Sequence, residues 1–98
     1  MSIFDKQTPD SGEMHDILCK LDNVDIVHIV SSSILPDTIY CQDRDEFVIV
    51  LEGEAILQIK KQEVCLRKGE HIFIKAFTEH RLLKCKNSTH WLAVYVKN

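Results

Sequence analysis

The chain has 98 residues, of which 45% are hydrophobic and 28% are charged, and its formal net charge is −3. This balance can build one hydrophobic core inside a solvated surface, so a single folded domain is expected rather than a disordered chain. The mild acidity argues against binding to nucleic acid, which depends on clustered Lys and Arg. Neither a signal-peptide pattern nor an apolar run of roughly 20 residues occurs. We therefore expect a cytoplasmic protein with no nucleic-acid or membrane partner.

Residues 1–23 are predicted to form an N-terminal segment that contains a short α-helix. Apolar residues in its second half recur at intervals of three and four, which is the spacing of one face of a helix. These residues are Met14, Ile17, Leu18 and Leu21. We expect the helix to pack against the outside of a domain formed by residues 24–98.

From residue 24 onward the apolar residues alternate with polar ones, and β-branched and aromatic residues dominate. The pattern predicts eight short strands. They cover residues 24–32, 38–42, 46–51, 54–60, 63–67, 71–74, 80–85 and 91–96. Short strands at even spacing, with no helices between them, indicate an antiparallel all-β sandwich or barrel. An immunoglobulin-like sandwich is the alternative, but the single late Trp91 counts against it.

Residues 47–51 form a run that is apolar on both faces of its predicted strand. One face could line the barrel, and the other could pack against a second element or a second subunit. We therefore expect a homodimer that uses this run as a contact.

Two stretches of the chain carry a motif. In EFVIVLEG, Glu46 is followed after six residues by Gly53, and in GEHIFIKAFTEH, His80 lies eleven residues after Gly69. Together they resemble the two motifs of the cupin superfamily, in the small single-domain form found in bacteria. The resemblance covers residues from about 38 to 84. It implies an antiparallel β-barrel, or jelly roll, with the motif side chains inside.

The chain departs from the cupin motifs at several positions. The two histidines of the first motif are replaced by Tyr40 and Gln42, or by Ile39 and Cys41 if the longer motif spacing applies. Strand alternation places Tyr40 and Gln42 on one face, which is the inward face if the register resembles that of the family. In the second motif the proline, the second glycine and the terminal asparagine are replaced. The replacing residues are Lys75, Phe77 and Lys84.

The resemblance implies a site inside the barrel. In metal-binding cupins the motif side chains converge on iron, manganese, nickel or zinc, and the corresponding residues here are Gln42, Glu46 and His80. An amide oxygen is a weak ligand for these ions, so the metal site is one of two interpretations. In the other, Glu46 and His80 form a hydrogen-bonded pair in a polar pocket that Tyr40 and Gln42 complete.

His28 is a further candidate ligand-binding residue. Its strand could point the imidazole into the barrel near the other polar groups, although a lone histidine on an apolar face is more often a core residue. His15, His71 and His90 lie near turns or in the predicted helix and are weaker candidates.

The leading functional prediction is a cupin-type barrel that binds a small molecule in a pocket lined by Tyr40, Gln42, Glu46 and His80. The alternative is a metal-dependent cupin enzyme, dioxygenase-like or isomerase-like, that uses Glu46 and His80, with Tyr40 as a candidate proton donor. A third hypothesis is a non-catalytic structural or dimerisation module that uses the outer face of residues 47–51. The fold alone does not decide among them.

Overall fold

The computed structural model describes residues 2–98 as two antiparallel sheets. The strands are β1 (Glu13–Lys20), β2 (Val24–Ser31), β3 (Asp45–Glu52), β4 (Glu54–Ile59), β5 (Gln62–Arg67), β6 (His71–Ile74), β7 (His80–Cys85) and β8 (Thr89–Val96). One sheet has the order β1-β2-β8-β3-β6 and the other β5-β4-β7. This arrangement confirms the predicted antiparallel all-β barrel. Within residues 2–98, no helix is long and apolar enough to cross a membrane.

The α-helix predicted near the N-terminus is wrong, because its residues form β1 along the edge of the five-stranded sheet. β1 pairs with β2, and a bulge between Ile17 and Cys19 inserts Leu18 as an extra residue. The bulge reverses the alternation of side chains between the two faces. Ile17 and Leu18 in this strand and Leu21 just after it are exposed, so their spacing does not mark the buried face of a helix. In the part of the chain that the structure describes, the sole helix is the 3-10 turn Ile3–Asp5.

The strand predicted over residues 38–42 is reduced to a single bridge between Tyr40 and His80. The Tyr40 N–H donates to the His80 carbonyl at 2.8 Å, and the His80 N–H donates to the Tyr40 carbonyl at 3.0 Å. The neighbouring Ile39 and Cys41 are exposed, so no burial of apolar side chains extends the pairing. The bridge still places Tyr40 beside His80. The other seven predicted strands correspond to β2–β8.

The hydrophobic core lies between the two sheets and is built from alternate residues of their strands. Its most deeply buried apolar members include Val27, Ile29, Val48, Val50, Ala55, Leu66, Trp91 and Ala93. Buried polar side chains such as Glu46 and His80 adjoin this core. They mark the region in which a functional site can be sought.

The outer face of the five-stranded sheet carries half-buried apolar side chains from β3. Phe47, Ile49 and Leu51 alternate with the buried Val48 and Val50. The run is therefore apolar on both faces, as the sequence indicates. The homodimer expected on this outer face stays a prediction.

Candidate functional site

A cavity of about 90 Å³ lies among the inward side chains of both sheets. Its polar lining consists of Glu13, His15, Tyr40, Gln42, Glu46, His80 and Tyr95. Its apolar lining consists of Ile29, Val48, Leu57, Ile74, Leu82 and Trp91. One water occupies about 10–15 Å³ by this measure, so the cavity has room for about six to nine water-sized groups. The structure thus brings together four of the five residues predicted to bind a ligand.

Glu46 is the most connected polar residue in this cavity. Strand β3 turns it inward opposite Tyr95 of β8, and only 7% of the residue remains exposed. The Gln42 Nε2 donates a hydrogen bond to Glu46 Oε1 at 2.9 Å. The Nε2 atom of His80 lies 3.6 Å from the same oxygen. A carboxylate, an amide and an imidazole therefore converge at one point.

The orientation of His80 is set by its other ring nitrogen. The Nδ1–H group donates to the carbonyl oxygen of Thr78 at 2.9 Å, so that Nε2 is the atom facing Glu46. The ring of Tyr40 stacks on the imidazole with their centroids 5.8 Å apart. The imidazole therefore presents Nε2 to the Glu46 carboxyl in a fixed orientation.

Burial raises the pKa of the Glu46 carboxyl, while the hydrogen bond from Gln42, the charge of His80 and a hydrogen bond from Tyr95 oppose that rise. Burial also raises the pKa of the Tyr40 phenol. Glu46 is thus a carboxyl group that holds a proton more readily than an exposed one, and Tyr40 stays a proton donor at neutral pH.

The cavity residue Glu13 is missing from the sequence prediction, and His15 is only a weaker candidate there. Both lie on β1, whose inward face they share, and Glu13 Oε1 is 3.8 Å from His15 Nε2. The hydrogen bond with Glu13 raises the pKa of His15. Because the segment was interpreted as a helix, the spacing of two between these residues was not recognised as strand alternation. That spacing is the signal that identifies them.

His28 lies outside the cavity, contrary to the prediction that it points into the barrel. Its neighbour Ile29 faces the cavity, and strand alternation therefore turns His28 to the opposite face of the sheet. There it is 1% exposed, and its Nε2 lies 2.9 Å from Nδ1 of His90. The ring of Phe4 packs edge-on against His90. His28 belongs to a buried histidine pair beneath the N-terminal turn.

The side chains present do not fit a resident transition-metal ion. Of the four motif donors of the family, Glu46 and His80 remain. Within residues 2–98, no three His, Cys, Asp or Glu side chains are grouped closely enough to hold a metal ion. Gln42 directs its amide nitrogen, which cannot ligate a cation, toward Glu46. Two donors fall short of the three or four protein ligands typical of zinc sites.

We expect Glu46→Gln to stabilise the protein at neutral pH. The pKa of Glu46 is raised above its ordinary value of 4.5, so its protonation favours the folded state at low pH. That contribution is lost as the pH rises through the folded-state pKa, where a charged carboxylate must stay buried. Glutamine has no charge and can still accept a hydrogen bond from Gln42. The expected gain is about 1 kcal/mol at pH 7.5 and close to zero near pH 4.

Urea unfolding of wild type and variant at several pH values measures this difference. The matched control is Glu63→Gln, which removes the same charge from the exposed face of β5. A loss of stability in Glu46→Gln at pH 7.5, or a gain that does not change with pH, would contradict the expectation.

Comparison with known proteins places this arrangement in a family. The model of the cupin domain matches residues 38–95. A structure from Ralstonia eutropha JMP134, named provisionally as a mannose-6-phosphate isomerase, aligns with a TM-score of 0.86 at 23% identity, covering 100% of this chain and 98% of that one. A cupin superfamily protein from Desulfitobacterium hafniense DCB-2 aligns with a TM-score of 0.83 at 16% identity, covering 95% and 84%.

A third structure is Fe(II)-HppE bound to the alternative substrate (S)-1-HPP. It aligns with a TM-score of 0.74 at 21% identity, covering 86% of this chain and 49% of that one. Among curated proteins, no sequence matches this chain. At these identities the structural neighbours establish the fold, and the family model covers more than half of the 98 residues. The protein belongs to the cupin family.

Proposed function

We propose that this protein binds a small polar molecule in its cavity, through hydrogen bonds to Gln42, Glu46 and His80 and without a resident metal. The observation that supports the proposal is the convergence of these groups on one oxygen of a buried carboxylate. Burying a charged group costs free energy, and an apolar core of the same shape would be more stable. A binding role explains why such a cluster stands beside an otherwise apolar core.

The lining of the cavity indicates the chemistry of the ligand. One part offers hydrogen-bonding groups, and the other is a wall of aliphatic side chains and Trp91. The lining contains no Lys or Arg among the described residues. A phosphate group would therefore lack a partner with a fixed positive charge. The phosphorylated sugar in the name of the Ralstonia protein is for this reason a poor candidate ligand, and a small molecule without anionic groups is favoured.

A metal-dependent enzyme is the second candidate. The observation in its favour is that Glu46 Oε1 and His80 Nε2 face the same space 3.6 Å apart, and a bound substrate would have to supply the remaining ligands of an ion. The iron in Fe(II)-HppE shows that a protein of this fold can hold such a metal. In this case Tyr40, whose ring stacks on the His80 imidazole, would be a candidate proton donor beside the pair.

Binding can be tested by titrating ¹⁵N-labelled protein with four probes that share one ring: cyclopentanol, cyclopentanone, cyclopentylamine and cyclopentanecarboxylate. Each fits a cavity of this size. We expect at least one uncharged or cationic probe to shift the amides of the cavity residues saturably, with a Kd of roughly millimolar. Glu46→Gln should weaken that binding by about tenfold or more, and Glu63→Gln should leave it unchanged.

The outcomes separate the three hypotheses. If no probe shifts the cavity amides, the binding proposal fails and a structural or dimerisation module is favoured. If the purified protein contains near-stoichiometric iron, manganese, nickel or zinc by mass spectrometry, and Glu46→Gln loses it, the metal-dependent enzyme replaces the present proposal. Because Glu46→Gln is expected to fold more stably than wild type, loss of binding cannot be attributed to unfolding.

A further inference from the structure

The cavity contains a second carboxylate that is held in a defined position. The side chain of Glu13 is 19% exposed and accepts a hydrogen bond from the Ser31 hydroxyl on the neighbouring strand β2. The Ser31 oxygen in turn accepts a hydrogen bond from the indole N–H of Trp91, at 2.9 Å. This chain of bonds starts in the core and ends at the cavity. It fixes the Glu13 carboxylate before any ligand arrives.

Glu13 and Glu46 act on the same space. Both are lining residues, and their charges add to the effect of burial in raising the pKa of the Tyr40 and Tyr95 phenols. The charge of Glu13 also contributes to the raised pKa of Glu46. The two carboxylates are therefore close enough to repel each other electrostatically, and a positive charge between them would relieve that repulsion.

Among the described residues, the lining of the cavity contains no Lys or Arg; the guanidinium of Arg44, outside the lining, lies 4.4 Å from the centroid of the Tyr95 ring and pairs with Asp25 at 2.8 Å. The basic groups of the lining are the imidazoles of His15 and His80. At alkaline pH an imidazole loses its positive charge, whereas a carboxylate keeps its negative one. Under these conditions the potential inside the cavity is negative. Anions are therefore repelled from it, and cations are attracted.

We propose that the cavity selects a small organic cation, a protonated primary amine of about six to eight non-hydrogen atoms, whose ammonium group lies between Glu13 and Glu46. The inference rests on the proposed function and specifies its ligand class. An ammonium group donates charge-assisted hydrogen bonds to carboxylates. The aliphatic wall of the cavity packs against the hydrocarbon part of the amine. A hydrated inorganic cation has no such part.

The test uses three of the probes, which share one ring and differ in charge: cyclopentylamine, cyclopentanol and cyclopentanecarboxylate. Titrations of ¹⁵N-labelled protein at about pH 8.5 give a Kd for each probe. We expect the amine to bind about tenfold more tightly than the alcohol, and the carboxylate to bind most weakly.

Glu13→Gln tests the part played by the second carboxylate. Glutamine keeps an oxygen that can accept the Ser31 hydrogen bond, so the packing of β1 is retained. In this variant the affinity for the amine should fall, so that its preference over the alcohol drops to about threefold or less. Glu63→Gln, with the same change in charge on an exposed strand, should keep the full preference.

Each outcome bears on a different claim. Equal affinity for the alcohol and the amine overturns the selection of cations but leaves the proposed binding function standing. A preference for the amine that persists in Glu13→Gln overturns the role of Glu13. Failure of every probe to bind overturns both proposals.

Discussion

Gly53→Ala should destabilise the protein by about 3 kcal/mol or more, because the glycine meets two separate constraints. Its φ is +97°, a conformation that residues with a Cβ rarely adopt. A Cβ added there would also lie 2.5 Å from the Oγ1 and 2.9 Å from the Cα of Thr89. Thr89 is fully buried, and its hydroxyl donates to the Lys86 carbonyl at 2.6 Å. The threonine therefore cannot move aside at little cost.

Gly69→Ala is the matched control for this prediction. Gly69 has a φ of +85°, but nothing lies within 4 Å of the position its Cβ would take. The Gly69→Ala substitution should lower the free energy of unfolding by about 1 kcal/mol, which is the conformational penalty alone. Urea unfolding of both variants measures the difference. Equal losses in the two variants would show that the contact with Thr89 is not a determinant of stability.

Trp91→Ala should cost about 3–5 kcal/mol, the range for truncating a buried tryptophan. Trp91 is 3% exposed, packs in the core and lines the cavity, and its indole N–H donates to the Ser31 hydroxyl. Removing the ring takes away that buried hydrogen-bond donor and enlarges a cavity that the remaining side chains cannot fill. A large part of the 5–15 kcal/mol typical of a natural domain would be lost.

Leu92→Ala provides the comparison for Trp91→Ala. Leu92 is the next residue of β8, turned to the opposite face and only partly buried. Its truncation should cost about 1 kcal/mol. Urea unfolding of the two variants checks the ratio. A similar loss in both would mean that the inward face of β8 carries no more of the stability than the outward one.

The sequence alone was enough to predict the fold class and four of the polar residues that line the cavity. Strand alternation is a local property, so the short apolar runs predicted β2–β8 without knowledge of their partners. The spacing of Glu46, Gly53, Gly69 and His80 carried the resemblance to cupins. In a given fold each motif residue has a fixed place on its strand. The spacing of the motifs therefore predicted that Glu46 and His80 face the same cavity.

Only the tertiary structure shows that Glu13 and His15 line the cavity. β1 is a strand because it pairs with β2, and the helical interpretation of its apolar spacing hid the strand alternation of Glu13 and His15. The direction of the His28 side chain also depends on tertiary contacts. The alternation of residues along a strand does not say which of its two faces points inward. The inward face is the one against which the second sheet packs. Local pattern predicts alternation, whereas the direction of each side chain depends on contacts between residues distant in sequence.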